Sequence, residues 1–319
     1  MIRIAVLLMA MLIAPSATAQ SYPTRPVRVI VTFPPGGTPD IYGRIMAAEL
    51  QKIWNQPLVV ENRTGAAGTI GTDYVAKAAP DGYTLLFGAD APLTLAPWLY
   101  NKLPYDPLKD FTPIVNVTSG PFVLLAHPSF KANNMREFIE LARAQPGKIA
   151  YASSGAGTQQ HLSMETVRAI AGIDVLHIPY KGFGPGLADV MANQVSLVFG
   201  GITASISLIK SGKVKGLGVT SAQRAKALPE IPSFAESGLP GFDIQAWYGF
   251  VGPAGLPPDI VRKIHADSVQ VIQRPDFLER LARDGIEPVG NTPAAFAAQI
   301  KADMERWRPI VKAAGVKPE

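Results

Sequence analysis

Between residues 27 and 53 the apolar pattern changes period once. Val27, Val29, Ile30, Val31 and Phe33 form a β-branched run of strand length. Pro34-Pro35-Gly36-Gly37 breaks the run, and Ile41, Ile45, Met46, Leu50 and Ile53 then recur at helical spacing. The pattern predicts a buried strand, a tight corner and an amphipathic helix. Thr38 is the expected N-cap, Pro39 suits the first helical position, and Asp40 complements the helix dipole. The alternation repeats down the chain. Strands are expected at 56–60, 83–87, 122–126, 148–153, 174–178, 195–199, 214–220 and 245–251. Helices are expected at 135–144, 159–171, 187–192, 204–211, 258–272, 275–284 and 293–311, the last three each opening at a proline. Residues 101–113 and 228–242 are rich in Pro or Gly and are expected to wrap the surface. Strands alternating with helices predict an α/β protein with a mostly parallel sheet, whose ligands sit at the carboxyl ends of the strands.

Those strand ends are corners with shared chemistry. At the first, Gly36 and Gly37 let main chain approach a ligand, and the first-turn N–H groups of the following helix point outward. No Lys or Arg lies between Arg28 and Arg44. A carboxylate held there is held by peptide dipoles. Ser153-Ser154-Gly155-Ala156-Gly157-Thr158 opens the helix at 159–171 in the same way, with hydroxyl donors added. Gly88-Ala89-Asp90 and Gly200-Gly201 form two further corners; Asp90 reads equally as a pocket residue or as a solvated cap. Tyr180, beside Lys181 after a strand, reads equally as a binding or a core aromatic. Gly65, Gly68 and Gly71 in GAAGTIG do not match the dinucleotide fingerprint, so nucleotide binding carries little weight. His161 beside Ser153 and Ser154 allows a nucleophile pair on paper. No G-x-S-x-G elbow occurs, which favours a pocket-lining or capping histidine. No H-x-x-x-H pair occurs either, and no metal, cofactor or catalytic residue is expected.

Composition narrows the setting. Arg3, the apolar run 4–13 and Ala17-Thr18-Ala19 read as a signal peptide over residues 1–19, the run being too short to span a bilayer. The alternative is a retained anchor. About 300 residues remain, enough for two domains. The chain has no cysteine, which excludes disulfides, thiolate chemistry and a lipid-modified N-terminal cysteine, and points to a bacterial periplasm. The net charge of +5 includes Arg3, and the basic residues are scattered, so nucleic acid is not an expected partner. The apolar segments at 122–126 and 245–251 are expected to cross between lobes. This puts 20–121 with 247–319 in one lobe and 122–246 in the other, in a monomer.

The chain resembles the substrate-binding receptors of tripartite tricarboxylate transporters, the Bug family. The resemblance rests on YPTRPVRVIVTFPPGGTPD, QPLVVENRTGAAGTIG, AKAAPDGYTLLFG, LPYDPLKDFTPI, PGKIAYASSGAGTQQHL, HIPYKG, GVTSAQRAKALPEIPSFAESGLPGF and PAGLPP, in that order. It implies a two-lobed, type II Venus-flytrap protein that closes on a small carboxylate and delivers it to a membrane permease. It also implies that backbone groups and bridging waters hold the carboxylate. Those groups map here onto Phe33, Pro35, Gly36, Gly37 and Asp40, and onto Ser153, Ser154, Gly155, Gly157, Thr158 and His161. The chain departs from many relatives at Asp90, where they carry a small hydroxyl residue, and at Gly200-Gly201, where they carry an acidic residue with Asn. Asp90 is therefore expected to meet an amino, ring N–H or hydroxyl group, because a second bare carboxylate there is repelled. The rival functions are a periplasmic hydrolase and a receptor that signals to a sensor kinase.

Overall fold

The computed structural model describes residues 22–313, so the signal peptide expected at 1–19 lies outside the described residues. The chain opens with β1 (Val27–Val31), α1 (Thr38–Trp54), β2 (Leu58–Asn62), α2 (Thr69–Ala76) and β3 (Thr84–Ala89). β1 pairs in parallel with both β2 and β3, as right-handed strand–helix–strand crossovers require. Two short turns follow, α3 (Ala91–Thr94) and α4 (Ala96–Leu99), and lead into β4 (Phe111–Ala126).

α1 is rotated from its expected setting. Its buried face is Tyr42, Met46, Ala47, Leu50 and Trp54, whereas Ile53 is 38% exposed and Ile41 and Ile45 are half-buried. Gly43 causes the rotation. A Cβ there would lie 3.0 Å from Val31 and 3.2 Å from Phe87, so the helix seats on the sheet through a residue that carries no apolar signal. The aromatic edges stay satisfied: Tyr42 donates to Asp284 at 2.8 Å and Trp54 to Asp267 at 2.6 Å.

β4 is 16 residues long, three times the expected segment. Phe111–Pro121 pairs antiparallel with β9 (Gln245–Pro253), while Phe122–Ala126 pairs antiparallel with β7 (Leu197–Gly201) and β8 (Lys215–Val219). One strand therefore runs through both sheets. Pro113, Asn116 and Thr118 interrupt its apolar pattern, and register shifts at those places absorb them. The second lobe holds α5 (Met135–Ala144), β5 (Ala150–Ser153), α6 (Gln159–Ala171), β6 (Leu176–Pro179), α7 (Phe183–Met191) and α8 (Ile202–Lys210). β5 pairs in parallel with β6 and β7. The sheets are thus mixed: parallel order is confined to β2-β1-β3 and β6-β5-β7, and the crossing strands β4 and β9 join them antiparallel. After β9 the chain ends in α9 (Pro258–Ile272), α10 (Pro275–Asp284), β10 (Glu287–Pro288), which pairs with β4, and α11 (Pro293–Ala313). α11 buries Phe296, Ile300, Trp307 and Val311. Among the described residues no helix is long and apolar enough to cross a membrane.

Candidate functional site

The carboxyl ends of the parallel strands meet in one cleft. Residues at the N-termini of α1, α6, α7 and α8 line it, with the single turn α3 beside them. First-turn N–H groups have no intrahelical acceptor, so their partial positive charge is directed into this space. The cleft offers about 60 Å³ to water centres, several times the roughly 10–15 Å³ that one water needs. Among the described residues, Asp90 is the one charged residue that lines it, and no Lys, Arg or His does.

The first corner is held from behind. The buried Asp40 carboxylate accepts from the Gly36 amide at 3.1 Å, Asn62 Nδ2 at 2.8 Å and Arg44 Nε at 2.9 Å. Burial works to raise the Asp40 pKa, but the bonds from Arg44, Asn62 and Gly36 outweigh it and hold the carboxyl below its ordinary value. Asn62 also donates to the Phe33 carbonyl at 2.9 Å. The N-cap is Gly37, not Thr38: Thr38 is the first helical residue, and no side chain caps the helix. The Gly36 amide is spent on Asp40, so Gly37 and Thr38 line the cleft while Gly36 and Asp40 do not.

The second corner is braced by a buried polar cluster. Ser153 Oγ lies 2.7 Å from His177 Nε2 and 3.0 Å from the Gly155 carbonyl. His161 Nδ1 accepts from the Gly157 amide at 3.1 Å, and its ring stacks on His177 at 3.9 Å. Burial, then His161 and Arg168, push the His177 pKa down to about 3. The Thr158 hydroxyl donates to the Gly155 carbonyl at 2.8 Å, and Ser154 Oγ accepts from Gln160 at 3.1 Å. Ser153, Gly157 and His161 therefore shape the corner from outside the cleft, while Ser154 and Thr158 line it. The hydroxyl of Ser153 bonds to His177, a residue outside the pairing considered from sequence.

Phe33, Pro35, Ala89, Asp90 and Gly201 also line the cleft as expected. Gly200 does not; the Phe183 ring covers it, 2.7 Å from where a Cβ would stand. Gly155 and Tyr180 line an adjoining chamber that shares Phe33, Pro34, Ser154 and Gly182 with the cleft. The Tyr180 hydroxyl donates to Asp189, an arrangement that pushes its pKa up to about 12. Ala66 and Ala67, on the wall of that chamber, take left-handed backbone angles, φ 45° and 51°.

Sequence reasoning missed Phe122, Gln159, Gln160, Phe183, Ala246 and Tyr248. Gln159 and Gln160 follow directly on Thr158 at the start of α6, so their position was signalled though their role was not. Phe183 was hidden because Gly182, Gly184, Pro185 and Gly186 read as a loop; α7 begins there instead. Phe122, Ala246 and Tyr248 lie on the crossing strands and read as core.

The lobes meet across the cleft. The Asp90 carboxylate accepts from Gln159 Nε2 of the opposite lobe, and Gln159 Nε2 also reaches the Gln245 carbonyl at 3.4 Å. A Cβ on Gly201 would lie 2.3 Å from Thr38 Oγ1, and one on Gly182 2.7 Å from the Pro34 ring. Glycine at these positions permits the close approach. Among the described residues no group of three or more His, Asp or Glu side chains is placed to hold a metal ion.

Comparison with known proteins agrees with this geometry. A family model for the receptor of the tripartite tricarboxylate transporter family matches residues 42–316. Protein BugT of Bordetella pertussis is 36% identical over 306 residues, 96% of this chain and 94% of that protein. The structure of Rpa4515 from R. palustris with adipate shares 32% identity at a TM-score of 0.91, covering 93% of this chain and 100% of that one. MatC from Rhodopseudomonas palustris with bound malate shares 33% identity at a TM-score of 0.85, covering 91% and 100%.

Proposed function

The chain belongs to the tripartite tricarboxylate transporter receptor family, and from that premise we propose that it binds a small carboxylate between its lobes in the periplasm and passes it to a membrane permease. The observation that carries this reading is a cleft ringed by helix N-termini, with no basic side chain of the described residues on its wall. Oriented amides seat a carboxylate there without a counter-ion. The ligands of two relatives, adipate and malate, are carboxylates. Among the described residues the cleft lining holds no nucleophile–base pair and no metal cluster, which fits a receptor. The course of the strands supports a hinge in two segments, since β4 exchanges one sheet for the other between Pro121 and Phe122 and β9 begins at Gln245. In this reading Phe33, Gly37, Thr38, Ser154, Thr158, Phe183 and Gly201 contact the ligand, while Asp40, Ser153, Gly157 and His161 hold the corners in shape.

Thermal denaturation with a panel of small carboxylates tests it. A ligand at a hundred times its dissociation constant adds about 2.7 kcal/mol to stability. Gly37→Val is the matched control. Gly37 sits at φ −79° and ψ 162°, open to any residue, and its Cβ would meet nothing nearer than 3.7 Å. The variant is expected to fold as wild type and to lose the ligand-induced shift, because the isopropyl group projects from a cleft-lining position. An undiminished shift in Gly37→Val places the carboxylate elsewhere.

A further inference from the structure

We infer that the bound solute carries a second polar group, an N–H donor and above all an ammonium, recognised by Asp90 together with Gln159. This rests on the carboxylate reading and adds the other half of the ligand. The two parts of the cleft wall have opposite character. Around α1, α6, α7 and α8 the wall presents amide donors. Around Asp90 the lining side chains carry acceptors: the Asp90 carboxylate and the buried Gln159 Oε1 atom, with the Gln245 carbonyl beside them.

Gln159 supplies evidence independent of Asp90. Its side chain is buried, 1% exposed, and lines the cleft, yet its Oε1 has no hydrogen-bond partner. The orientation of the amide is set on the protein side, because Nε2 faces two acceptors, the Asp90 carboxylate and the Gln245 carbonyl. Turning the amide over would put Oε1 against the Gln245 carbonyl. A buried acceptor left unpaired carries a desolvation penalty, so a donor arriving in the cleft relieves it. Asp90 is 3% exposed, and no cationic side chain lines the cleft beside it. The groups that act on it electrostatically are Asp303, whose carboxylate accepts from Trp247 Nε1 at 3.0 Å, Arg306, which lies 3.5 Å from Asp303, and the Tyr248 phenol. Burial, with Asp303 adding to it, drives the Asp90 carboxyl well above the ordinary carboxylate range, against the Ala91 amide and Arg306. A ligand ammonium supplies the counter-charge that the protein withholds. A ligand carboxylate in the same place brings no donor to the unpaired Gln159 Oε1 atom.

The test is calorimetric titration of wild type and Asp90→Ser with linear acids matched in length and differing at one end: adipate against ε-aminocaproate, and succinate against γ-aminobutyrate. The carboxamide and methyl-ended analogues complete each set. Wild type is expected to prefer the ammonium member of at least one pair by about tenfold or more, with the carboxamide between it and the diacid. Asp90→Ser, shown to be folded by its melting curve, is expected to lose that preference while keeping or improving diacid binding. Asp90→Asn, which still accepts from Gln159, is expected to behave as Asp90→Ser. A wild type that prefers the diacids, or an ammonium preference that survives in both variants, overturns this inference and leaves the carboxylate reading standing. If no carboxylate of any set binds wild type, the carboxylate reading itself falls and this inference falls with it.

Discussion

Asp90 holds an acid group inside the protein, where its carboxylate accepts from the Gln159 amide of the opposite lobe, and burial without a paired cation is expected to weaken the fold at neutral pH. The direction follows from linkage. Its folded pKa is raised, so the carboxyl binds its proton more tightly in the folded chain than in the unfolded one. The stability this confers is complete below the unfolded value near about 3.9 and is lost as pH rises through the folded value. Asp90→Asn keeps the contact with Gln159 and removes the titration. Urea denaturation of the two proteins is expected to show the variant more stable at neutral pH by roughly 1–3 kcal/mol, with the gap narrowing toward pH 4. An equal gap at both pH values removes the titrating carboxyl as its cause. At the same scale, Asp40 was legible as a residue of the first corner because a carboxylate suits the first turn of a helix. Its actual task, clamping the Gly36 amide, depends on Arg44 and on Asn62, which lies on another strand; no local pattern joins the three.

At the scale of elements, the strongly patterned segments formed where they were expected. Met135–Ala144 and Gln159–Ala171 match their expected spans, because polar starts and continuous helical periodicity act within one turn of chain. Asn134 caps the first of these by accepting from the Glu137 amide at 3.0 Å. Two expected helices differ in detail: α7, expected from 187, begins four residues earlier, and α1 buries another face. α7 starts at Phe183 among residues that break helices in isolation; Gly186 is tolerated because its Cβ would stand 3.0 Å from Ala152, where small size is needed for contact with β5. α1 was found, but its buried face was misjudged because Gly43 sets the contact. Gly43→Val tests that account. The added branches have no room against Val31 and Phe87, so destabilisation of about 1–3 kcal/mol is expected from a chemical-denaturation midpoint. A midpoint equal to wild type shows that α1 is free to move off the sheet.

At the scale of the molecule, β4 and β9 tie both lobes into one framework, and residues of the two lobes approach each other across the cleft. Closure relies on small residues at the contact points, above all Gly201 against Thr38 and Gly182 against Pro34. Gly201 has φ −61° and ψ 141°, so a larger residue meets no backbone strain there and its effect falls on the cleft and its closure. Gly201→Val places a Cβ 2.3 Å from Thr38 Oγ1. The variant is expected to keep its melting temperature without ligand, to scatter X-rays with a larger radius of gyration when ligand is added, and to bind at least tenfold more weakly. A wild-type scattering profile with ligand shows that the lobes close without this contact.

The sequence by itself determined the α/β alternation, the Gly-rich corners between strands and helices, and the family to which the chain belongs. Each is written in short stretches where strand period, Gly-Pro breaks and helix starts follow one another, as in residues 27–50. Tertiary structure decided that β4 serves both sheets, and that Gln159, Phe183 and Tyr248 share the cleft with Asp90. It also decided that His161 and Ser153 stand behind the wall. The physical reason is range. Periodicity and capping are set by neighbours a few residues away, whereas Asp90 and Gln159 are 69 residues apart and meet only when the lobes do. What one side chain leaves unpaired for another molecule to satisfy exists only after that meeting.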